Sequence, residues 1–274
     1  WKKFDAGEFE KSTAKPLAYL DPAFQQWIEA TQKLPADKQL EAVSQKLIEL
    51  NPGFDGKLTG VERRPQPKID GGVVVEVGFS TVDVTDISPV RAFAGLKSLS
   101  CAGVSPNRGK LTDLSPVQGM PLEYFNCAIT QVSDLAPLRG MQLSHLLCHA
   151  TRVTDLAPIA GMPIEALNIS ATSIAELSVL KDMRIHSINC EATRVRDISV
   201  LRGMPLTYIH GLGRGVTDLS PLESCAALKS VNLTGVKVPA ERVAALQKAL
   251  PTCKIDWDDP AKAPTAAPTA TGSE

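Results

Sequence analysis

The sequence predicts an α/β solenoid of about eight stacked coils, with a parallel sheet on the concave face, short 3₁₀ turns on the convex face and helical caps at both ends. Two observations predict it. One motif recurs across residues 74–238 with a period close to 21 residues, and apolar residues stand at offsets 0, 3, 5, 10, 13 and 16 of each repeat. These offsets cannot share one face of a single helix or strand, but all of them point inward when each repeat forms one coil and the coils stack.

The second half of the repeat marks its period. It reads LTDLSPV from Leu111, VSDLAPL from Val132 and VTDLAPI from Val153, and five consecutive steps along the chain are each 21 residues long. The first half begins with the apolar residue that leads each strand. Counting these residues gives eight coils, which begin at Val74, Leu96, Leu122, Leu143, Ile164, Ile185, Leu206 and Leu228.

Each coil divides into a strand and a turn. Offsets 2 to 6 alternate between inward and outward, and stacked strands of this kind form a parallel sheet with a spacing of roughly 4.8 Å. Asp134 precedes an Ala-Pro pair, which favours a short helical turn because the carboxylate accepts free backbone N–H groups and Pro tolerates the first helical position. Equivalent aspartates stand at Asp86, Asp113, Asp155, Asp197 and Asp218. A repeat this short leaves no room for full helices, so we expect 3₁₀ turns.

The repeat resembles the short leucine-rich repeats of bacterial internalins. It follows the pattern LxxLx(L/C)xxTxVxDLxPLxGMP, with Thr or Val where that family usually has Asn, over about 165 of the 274 residues. Three further phrases, Asn51–Gly56, Val84–Val90 and Ala244–Pro251, are similar to the repeat regions that some bacteria append to membrane-bound serine/threonine kinases. The first resemblance implies a bacterial repeat module that binds a protein or peptide. The second implies a sensing or scaffolding region whose kinase domain lies outside this segment, which contains no HRD, DFG or VAIK element.

The segments outside the repeats are predicted from helical spacing and composition. One helix is expected between Asp21 and Pro35, and a second from about Ala36 to Asn51. We expect these helices to cap the open end of the solenoid, and a separate partner-binding pair of helices is the alternative. The predicted organisation is a lead-in or linker at 1–20, a helical cap with a short hairpin at 21–73, repeats at 74–238, a C-terminal cap at 239–257 and a disordered tail at 258–274.

Two stretches near the start of the repeats stand apart from the pattern. Strands are expected at 57–61 and 73–79, joined by a Pro-rich connection. The second coil is lengthened by a loop at 102–110, rich in Gly, Ser, Pro and Asn. Insertions of this kind leave a solenoid at its edge, where they contribute to binding or are simply tolerated.

Composition limits the kinds of partner and the compartment. The chain is 43% hydrophobic but only 5% aromatic, and its net charge is −1, so charge implies no nucleic-acid partner. No apolar run is long enough to span a membrane, and this segment is expected to make no membrane contact itself. Because it begins at Trp1 without a signal-peptide pattern, we expect a piece of a longer bacterial protein. Its compartment is left open between the cytoplasm and the soluble part of a membrane-anchored protein.

The cysteines are expected to pack in the core. Cys101, Cys127, Cys148 and Cys190 occupy the same inward position of their coils, where Cys acts as a small hydrophobe. None of the six forms a CxxC or zinc pattern. Cys225 and Cys253 lie near the C-terminal cap, and a disulfide between them is the alternative to free thiols.

The outward strand positions are the residues freest to bind a partner, because their inward neighbours are committed to the core. Three of the four histidines stand among them, and Tyr124, His145 and His149 are expected to cluster on neighbouring coils. Aromatic and imidazole groups on a preformed sheet anchor partners at little entropic cost, although ordinary surface variation is the alternative. The outward set also includes Glu76, Gly78 and Leu212. The candidate partner-binding residues are Tyr124, Asn126, His145, Leu147, His149, Asn168, Asn189, Glu191, Tyr208 and His210.

Other chemistry is not indicated. His145 and His149 would lie about 13 Å apart along an extended strand, which is too far to share one metal ion. The glycines of Gly211–Gly215 miss the GxGxxG spacing, so this stretch is expected to distort its coil, with Gly211 in place of the usual Cys. The Asn column, Asn126, Asn168, Asn189 and Asn232, either forms a hydrogen-bonded ladder or is repeat consensus. No nucleophile is paired with a base, so the sequence predicts a non-catalytic binding module without cofactor or metal.

Overall fold

The computed structural model describes residues 18–62, 64–105 and 108–258, and they contain one ten-stranded sheet. Nine neighbouring strands are parallel, and a tenth, β1, is antiparallel at the N-terminal edge. The strands are β1 Lys68–Asp70, β2 Val73–Gly78, β3 Ser98–Ser100, β4 Tyr124–Asn126, β5 His145–Leu147, β6 Ala166–Asn168, β7 Ser187–Asn189, β8 Tyr208–Gly211, β9 Ser230–Asn232 and β10 Lys254–Asp256. Strands β2 to β9 belong to the eight predicted coils.

The core is a column of inward side chains that continues from coil to coil. The middle residue of each repeat strand is buried, as Leu99, Phe125 and Leu146 are, and none of these three is measurably exposed. Each strand then turns through a buried threonine. The hydroxyls of Thr130, Thr151, Thr172 and Thr193 each donate to the carbonyl three residues earlier at 2.6 Å. These bonds satisfy buried polar groups where the chain leaves the sheet.

The convex side consists of 3₁₀ turns, as predicted. In all six aspartate-containing repeats, the Asp carboxylate accepts the backbone N–H two residues on, at 2.7–3.0 Å. These bonds hold the pKa of Asp197 and Asp218 below their usual values. The expected capping role is therefore confirmed. The turns span Ser88–Ala92, Ser115–Val117, Ala136–Leu138, Ala157–Ile159, Ser178–Leu180, Ser199–Leu201 and Ser220–Ser224.

Two α-helices cover the N-terminal end of the stack. Helix α1 is Pro22–Gln32, with the Asp21 carboxylate capping its first turn, and helix α2 is Ala36–Leu50. Val43 and Leu47 of α2 are fully buried in the same core as the coils. The cap is therefore continuous with the solenoid core.

Asn51, buried at the end of α2, fastens this cap to the first coil. Its Nδ2 donates to the carbonyls of Leu47 and Asp86, both at 2.9 Å. Its Oδ1 accepts the backbone N–H groups of Thr85 and Asp86, also at 2.9 Å. Three of these bonds reach the first coil from one side chain, so the docking depends on this residue.

The hairpin ahead of the first coil differs from the prediction. The strand expected at 57–61 is reduced to a single bridge between Thr59 and Gly78, and β1 instead comes from 68–70, within the stretch assigned to a connection. Residues 60–62 and 64–67 leave the sheet edge, where Val61 and Arg64 bond the side chain of Glu76. Sequence spacing alone does not reveal such a detour.

The C-terminal end is closed by helix α3, Ala240–Ala249, and by β10. All six cysteines are buried free thiols, so the disulfide alternative for Cys225 and Cys253 is not what the structure has. No helix in the described ranges is long and apolar enough to cross a membrane. The predicted lead-in before residue 18, and the predicted tail after Asp258, lie outside the described residues.

Candidate functional site

The candidate site is the concave face, which we define by two outward rows of side chains on the parallel strands. Parallel strands in register place equivalent residues side by side, roughly 4.8 Å apart. The first row contains Ser98, Tyr124, His145, Ala166, Ser187, Tyr208 and Ser230. The second row contains Ser100, Asn126, Leu147, Asn168 and Asn189.

Tyr124 and His145 form a first aromatic pair, as expected. Their ring centroids are 6.0 Å apart and their planes are inclined by 31°. The Ser144 hydroxyl donates to the Glu123 carbonyl and lies 2.9 Å from Nδ1 of His145. This contact holds the His145 ring beside Tyr124.

Tyr208 and His210 form a second pair, which the sequence did not predict as a contact. They stack at 6.1 Å with planes inclined by only 17°, and Tyr208 is 43% exposed. Nε2 of His210 lies 3.1 Å from the Ser187 hydroxyl. The result is a flat ring surface that is open to solvent.

A bulge in β8 changes the register after Tyr208 from the one expected. Asn189 pairs with Gly211 instead of His210, so Gly211 and Leu212 are shifted by one, and Val216 is again buried as the repeat predicts. Leu212, expected on the concave face, is 1% exposed and takes the inward position assigned to Gly211. A Cβ on Gly211 would stand 2.6 Å from the Cβ of Glu191, so glycine fits the bulge.

The Asn column does not form a ladder across the sheet. Asn126, Asn168, Asn189 and Asn232 each use Oδ1 to accept the backbone N–H two residues on, at 2.8–3.1 Å. One cross-strand bond is present, from Asn126 Nδ2 to Ser100 Oγ at 3.2 Å. Over the described residues, Nδ2 of Asn168 and of Asn189 has no partner, so both offer amide donors to a ligand.

His149 and Glu191 lie beyond the strands, after the second row. No ring contact joins His149 to Tyr124 or His145 within the described ranges, so the expected three-residue cluster is reduced to a pair. His149 is half-buried, its Nδ1 has no hydrogen-bond partner, and burial lowers its pKa. Glu191 is exposed next to the bulge. Leu147 is half-buried and adds apolar surface beside the first pair.

The N-terminal end of the concave face is covered by residues 60–62 and 64–67. Glu76, expected to be open, is 5% exposed, accepts the N–H of Val61 at 3.0 Å and pairs with Arg64 at 2.6 Å. Gly78 is buried by the Thr59 bridge. The rim therefore carries Glu62 and Arg64, whose positions only the folded hairpin reveals.

This rim changes the environment of Tyr124. Burial is the main cause that raises the pKa of its phenol, and the carboxylates of Glu62 and Glu76 raise it further. The phenol therefore stays protonated and able to donate a hydrogen bond. It lies where the rim meets the first aromatic pair.

The inserted loop of the second coil closes at a narrow neck. The N–H of Gly103 donates to Ala128, and that of Gly109 donates to Ile129. A Cβ on either glycine would collide with backbone or with the Thr81 side chain. Ala128, at the outward position that follows Asn126 in the alternation of its strand, is only 1% exposed beside this neck.

Comparison with solved structures identifies the architecture. An internalin C2 from Listeria monocytogenes matches with a TM-score of 0.57 and 20% identity over 66% of this chain and 80% of that one. The fold is a leucine-rich repeat solenoid. An internalin F from the same organism matches with a TM-score of 0.47 and 22% identity over 64% and 60% of the two chains. No family model matches this solenoid, and no curated protein matches it.

A cleft of about 590 Å³ opens on the convex side of the leucine-rich repeat solenoid. It lies between the turns Ser178–Leu180 and Ser199–Leu201, and Glu176, Lys181 and Arg202 are among its charged lining residues. The two aromatic pairs are on the opposite face. Within the described ranges, no group of three His, Cys, Asp or Glu side chains is arranged to hold a metal ion.

Proposed function

We propose that this leucine-rich repeat solenoid is a non-catalytic module that binds a protein or peptide through its concave face. The observation that carries the proposal is the two Tyr–His contacts on the concave face, Tyr124 with His145 and Tyr208 with His210. Tyr124 and His145 are half-buried, and Tyr208 is 43% exposed. Aromatic side chains have few rotatable bonds, so they give large contact areas at small entropic cost. Both histidines are also held by serine hydroxyls.

The rest of the face suits an extended contact. Ala166 and Ser187 between the pairs are small and leave room for a ligand, while Asn168 and Asn189 offer amide donors. A preformed surface of this kind favours a partner that covers several coils. The concave chemistry is amide donors, imidazoles and phenols. Serine hydroxyls contact both histidines, but within the described residues no carboxylate bonds either imidazole to orient it as a base, so we propose binding without catalysis.

The test selects ligands first and then asks where they bind. Peptides are selected from a displayed random library on the native protein, and their affinity is measured by fluorescence anisotropy. A concave variant changes Tyr124, His145, Tyr208 and His210 to Ser. A matched control changes four exposed convex residues, Gln118, Arg139, Lys181 and Arg202, to Ser.

Loss of at least about tenfold in affinity is expected for the concave variant, since four anchor side chains are removed. The convex control should stay within about twofold of the native protein. Circular dichroism confirms that both variants are folded. Equal affinity for the native protein and the concave variant would overturn the proposal.

We also propose that this chain is part of a larger protein. In that protein it would be the sensing or scaffolding region of a bacterial membrane serine/threonine kinase. This proposal is supported by the resemblance of Asn51–Gly56 and Val84–Val90, two phrases that meet in space through the Asn51 bonds to Thr85 and Asp86. Immunoblotting of source cells tests it. A membrane-associated species much larger than 29.3 kDa is expected, and a soluble species near that mass would reject it.

A further inference from the structure

The spacing of the two aromatic pairs sets a length for the ligand. Tyr124 on β4 and Tyr208 on β8 belong to the same row and are four strand steps apart. At a strand spacing of ~4.8 Å, the two tyrosines stand roughly 19 Å apart along the solenoid axis. A ligand that touches both tyrosines must cross β5, β6 and β7.

The surface between the pairs favours exposed carbonyl groups. The Oδ1 atoms of Asn168 and Asn189 are occupied by backbone N–H groups, which orients both amides with Nδ2 left to donate. These donors stand on neighbouring strands, about 4.8 Å apart. An extended peptide presents backbone carbonyls to such donors, whereas an α-helix uses its carbonyls internally.

The distance between the two tyrosines also fixes which residues of an extended peptide reach the pairs. A β-strand advances ~3.3 Å per residue and a polyproline II helix ~3.1 Å, so roughly 19 Å corresponds to six residues in either conformation. Side chains repeat their direction every two residues in a strand and every three in polyproline II. Residues i and i+6 therefore face the sheet together in both cases. In a strand, i+5 or i+7 would turn one anchor away.

We propose that the ligand is an extended peptide segment that runs along the solenoid axis and places two aromatic or large apolar side chains, six residues apart, on the Tyr124–His145 and Tyr208–His210 pairs. This inference rests on the proposed function of the concave face. Leu147, beside the first pair, adds an apolar contact for the anchor residue there. The small side chains of Ala166 and Ser187 let the peptide backbone approach the sheet between its anchors.

A series of peptides with different anchor spacings tests the six-residue distance. Fluorescein-labelled peptides carry two phenylalanines in a Ser/Thr background at i and i+4, i+5, i+6, i+7 or i+8, and anisotropy gives each Kd. The i+6 peptide is expected to bind at least about tenfold more tightly than the i+5 and i+7 peptides, because only it places a phenylalanine at both tyrosines with both rings facing the sheet. A peptide with a single phenylalanine should match the mis-spaced peptides.

Two single variants separate the anchors. Tyr124→Ser and Tyr208→Ser should each reduce binding of the i+6 peptide to the level of the single-phenylalanine peptide. In each variant, the i+6 peptide should keep its contact with the unchanged pair. Tyr19→Ser, in the N-terminal cap, should leave the whole series unchanged.

The possible outcomes separate this inference from the proposed function. Binding that needs the concave tyrosines but is equal at every spacing overturns the six-residue spacing and leaves the concave face as a binding site. Peptides selected on the native protein that bind the concave variant equally well overturn both proposals. Concave binding of neutral oligosaccharides, with none of any peptide, overturns the peptide as ligand.

Discussion

At the scale of the residue, the backbone of each coil depends on left-handed positions. One position after the strand has φ between +52° and +57° and is filled by Ile129, Ala150, Ala171 and Ala192. Another, after the 3₁₀ turn, has φ between +70° and +77° at Gly119, Gly140, Gly161 and Gly203. Asp182 breaks the second series, with φ +65°. A non-glycine residue there is strained by clashes of its Cβ, although Asp tolerates the region better than most.

Asp182→Gly is therefore expected to stabilise the fold, by about 0.5 kcal/mol after the larger chain entropy of glycine is deducted. The equivalent glycines have open space around them, so no contact is needed from a side chain. Urea unfolding followed by circular dichroism measures the change. Lys181→Gly is the control, because its φ of −53° suits any residue and glycine there only adds entropy to the unfolded chain. An equal loss of stability in both variants would contradict the argument.

At the scale of the element, one 3₁₀ turn lacks the cap that the others share. Glu176 stands where the other turns have Asp, and within the described ranges no bond joins its carboxylate to the N–H of Ser178. The extra methylene moves the carboxylate away from the position that Asp155 uses at 2.8 Å. The turn Ser178–Leu180 forms without it, held by its place in the stack.

Glu176→Asp should restore the cap and raise the free energy of unfolding by about 0.5 to 1 kcal/mol, a typical effect for a capping side chain. The reverse change, Asp155→Glu, should lower it by a similar amount. Both are read from the midpoint of urea unfolding at neutral pH. A gain from Glu176→Asp without a loss from Asp155→Glu would show that the effect is not the cap.

Elements defined by local periodicity could be predicted from the sequence, whereas elements made by distant contacts could not. The Asp134 cap and the inward Leu146 follow from a pattern that repeats within 21 residues. The burial of Glu76 depends on Val61 and Arg64, which reach it from another part of the chain. The His210 bulge depends on how one strand fits its neighbour. The first aromatic pair was predictable from register, and the second was obscured by that bulge.

At the scale of the whole molecule, the buried thiols link stability to alkaline pH. Burial raises the pKa of Cys148 and of Cys190 to about 12, above the ordinary 9.0, and raises that of Cys101 and Cys127 as well. The unfolded chain exposes these thiols, so it loses their protons first as the pH rises. Their contribution to stability is complete below pH 9 and is lost between about pH 9 and 12.

Cys148→Ala isolates one thiol of this set. Its free energy of unfolding should fall less steeply above pH 9 than that of the native protein, by up to about 1.4 kcal/mol per pH unit, because one fewer group is deprotonated on unfolding. Urea titrations at a series of pH values give the slopes. The constant loss from the missing side chain shifts the curve without changing its slope. Parallel curves for the two proteins would contradict thiol linkage.

The N-terminal cap determines how the stack frays, because each coil of a solenoid is stabilised only by its neighbours. Asn51→Ala removes three bonds to the first coil and one to Leu47 of α2, leaving the N–H groups of Thr85 and Asp86 without their Asn51 partner. The expected loss is about 2 to 4 kcal/mol, given roughly 1 to 3 kcal/mol for each unsatisfied buried group and incomplete additivity.

The loss of stability in Asn51→Ala should be largest in the first coil, next to the cap. Amide hydrogen exchange is expected to accelerate most in the first coil, around Val84 and Ile87, and least around Val231 at the far end. Asn232→Ala is the matched control, because it removes a single bond, to Thr234 at 2.8 Å, from a half-buried Asn. It should cost less than about 1 kcal/mol and leave exchange in the first coil unchanged. Uniform acceleration in Asn51→Ala would mean that the coils unfold as one unit, and that the cap acts on the whole stack and not on its end.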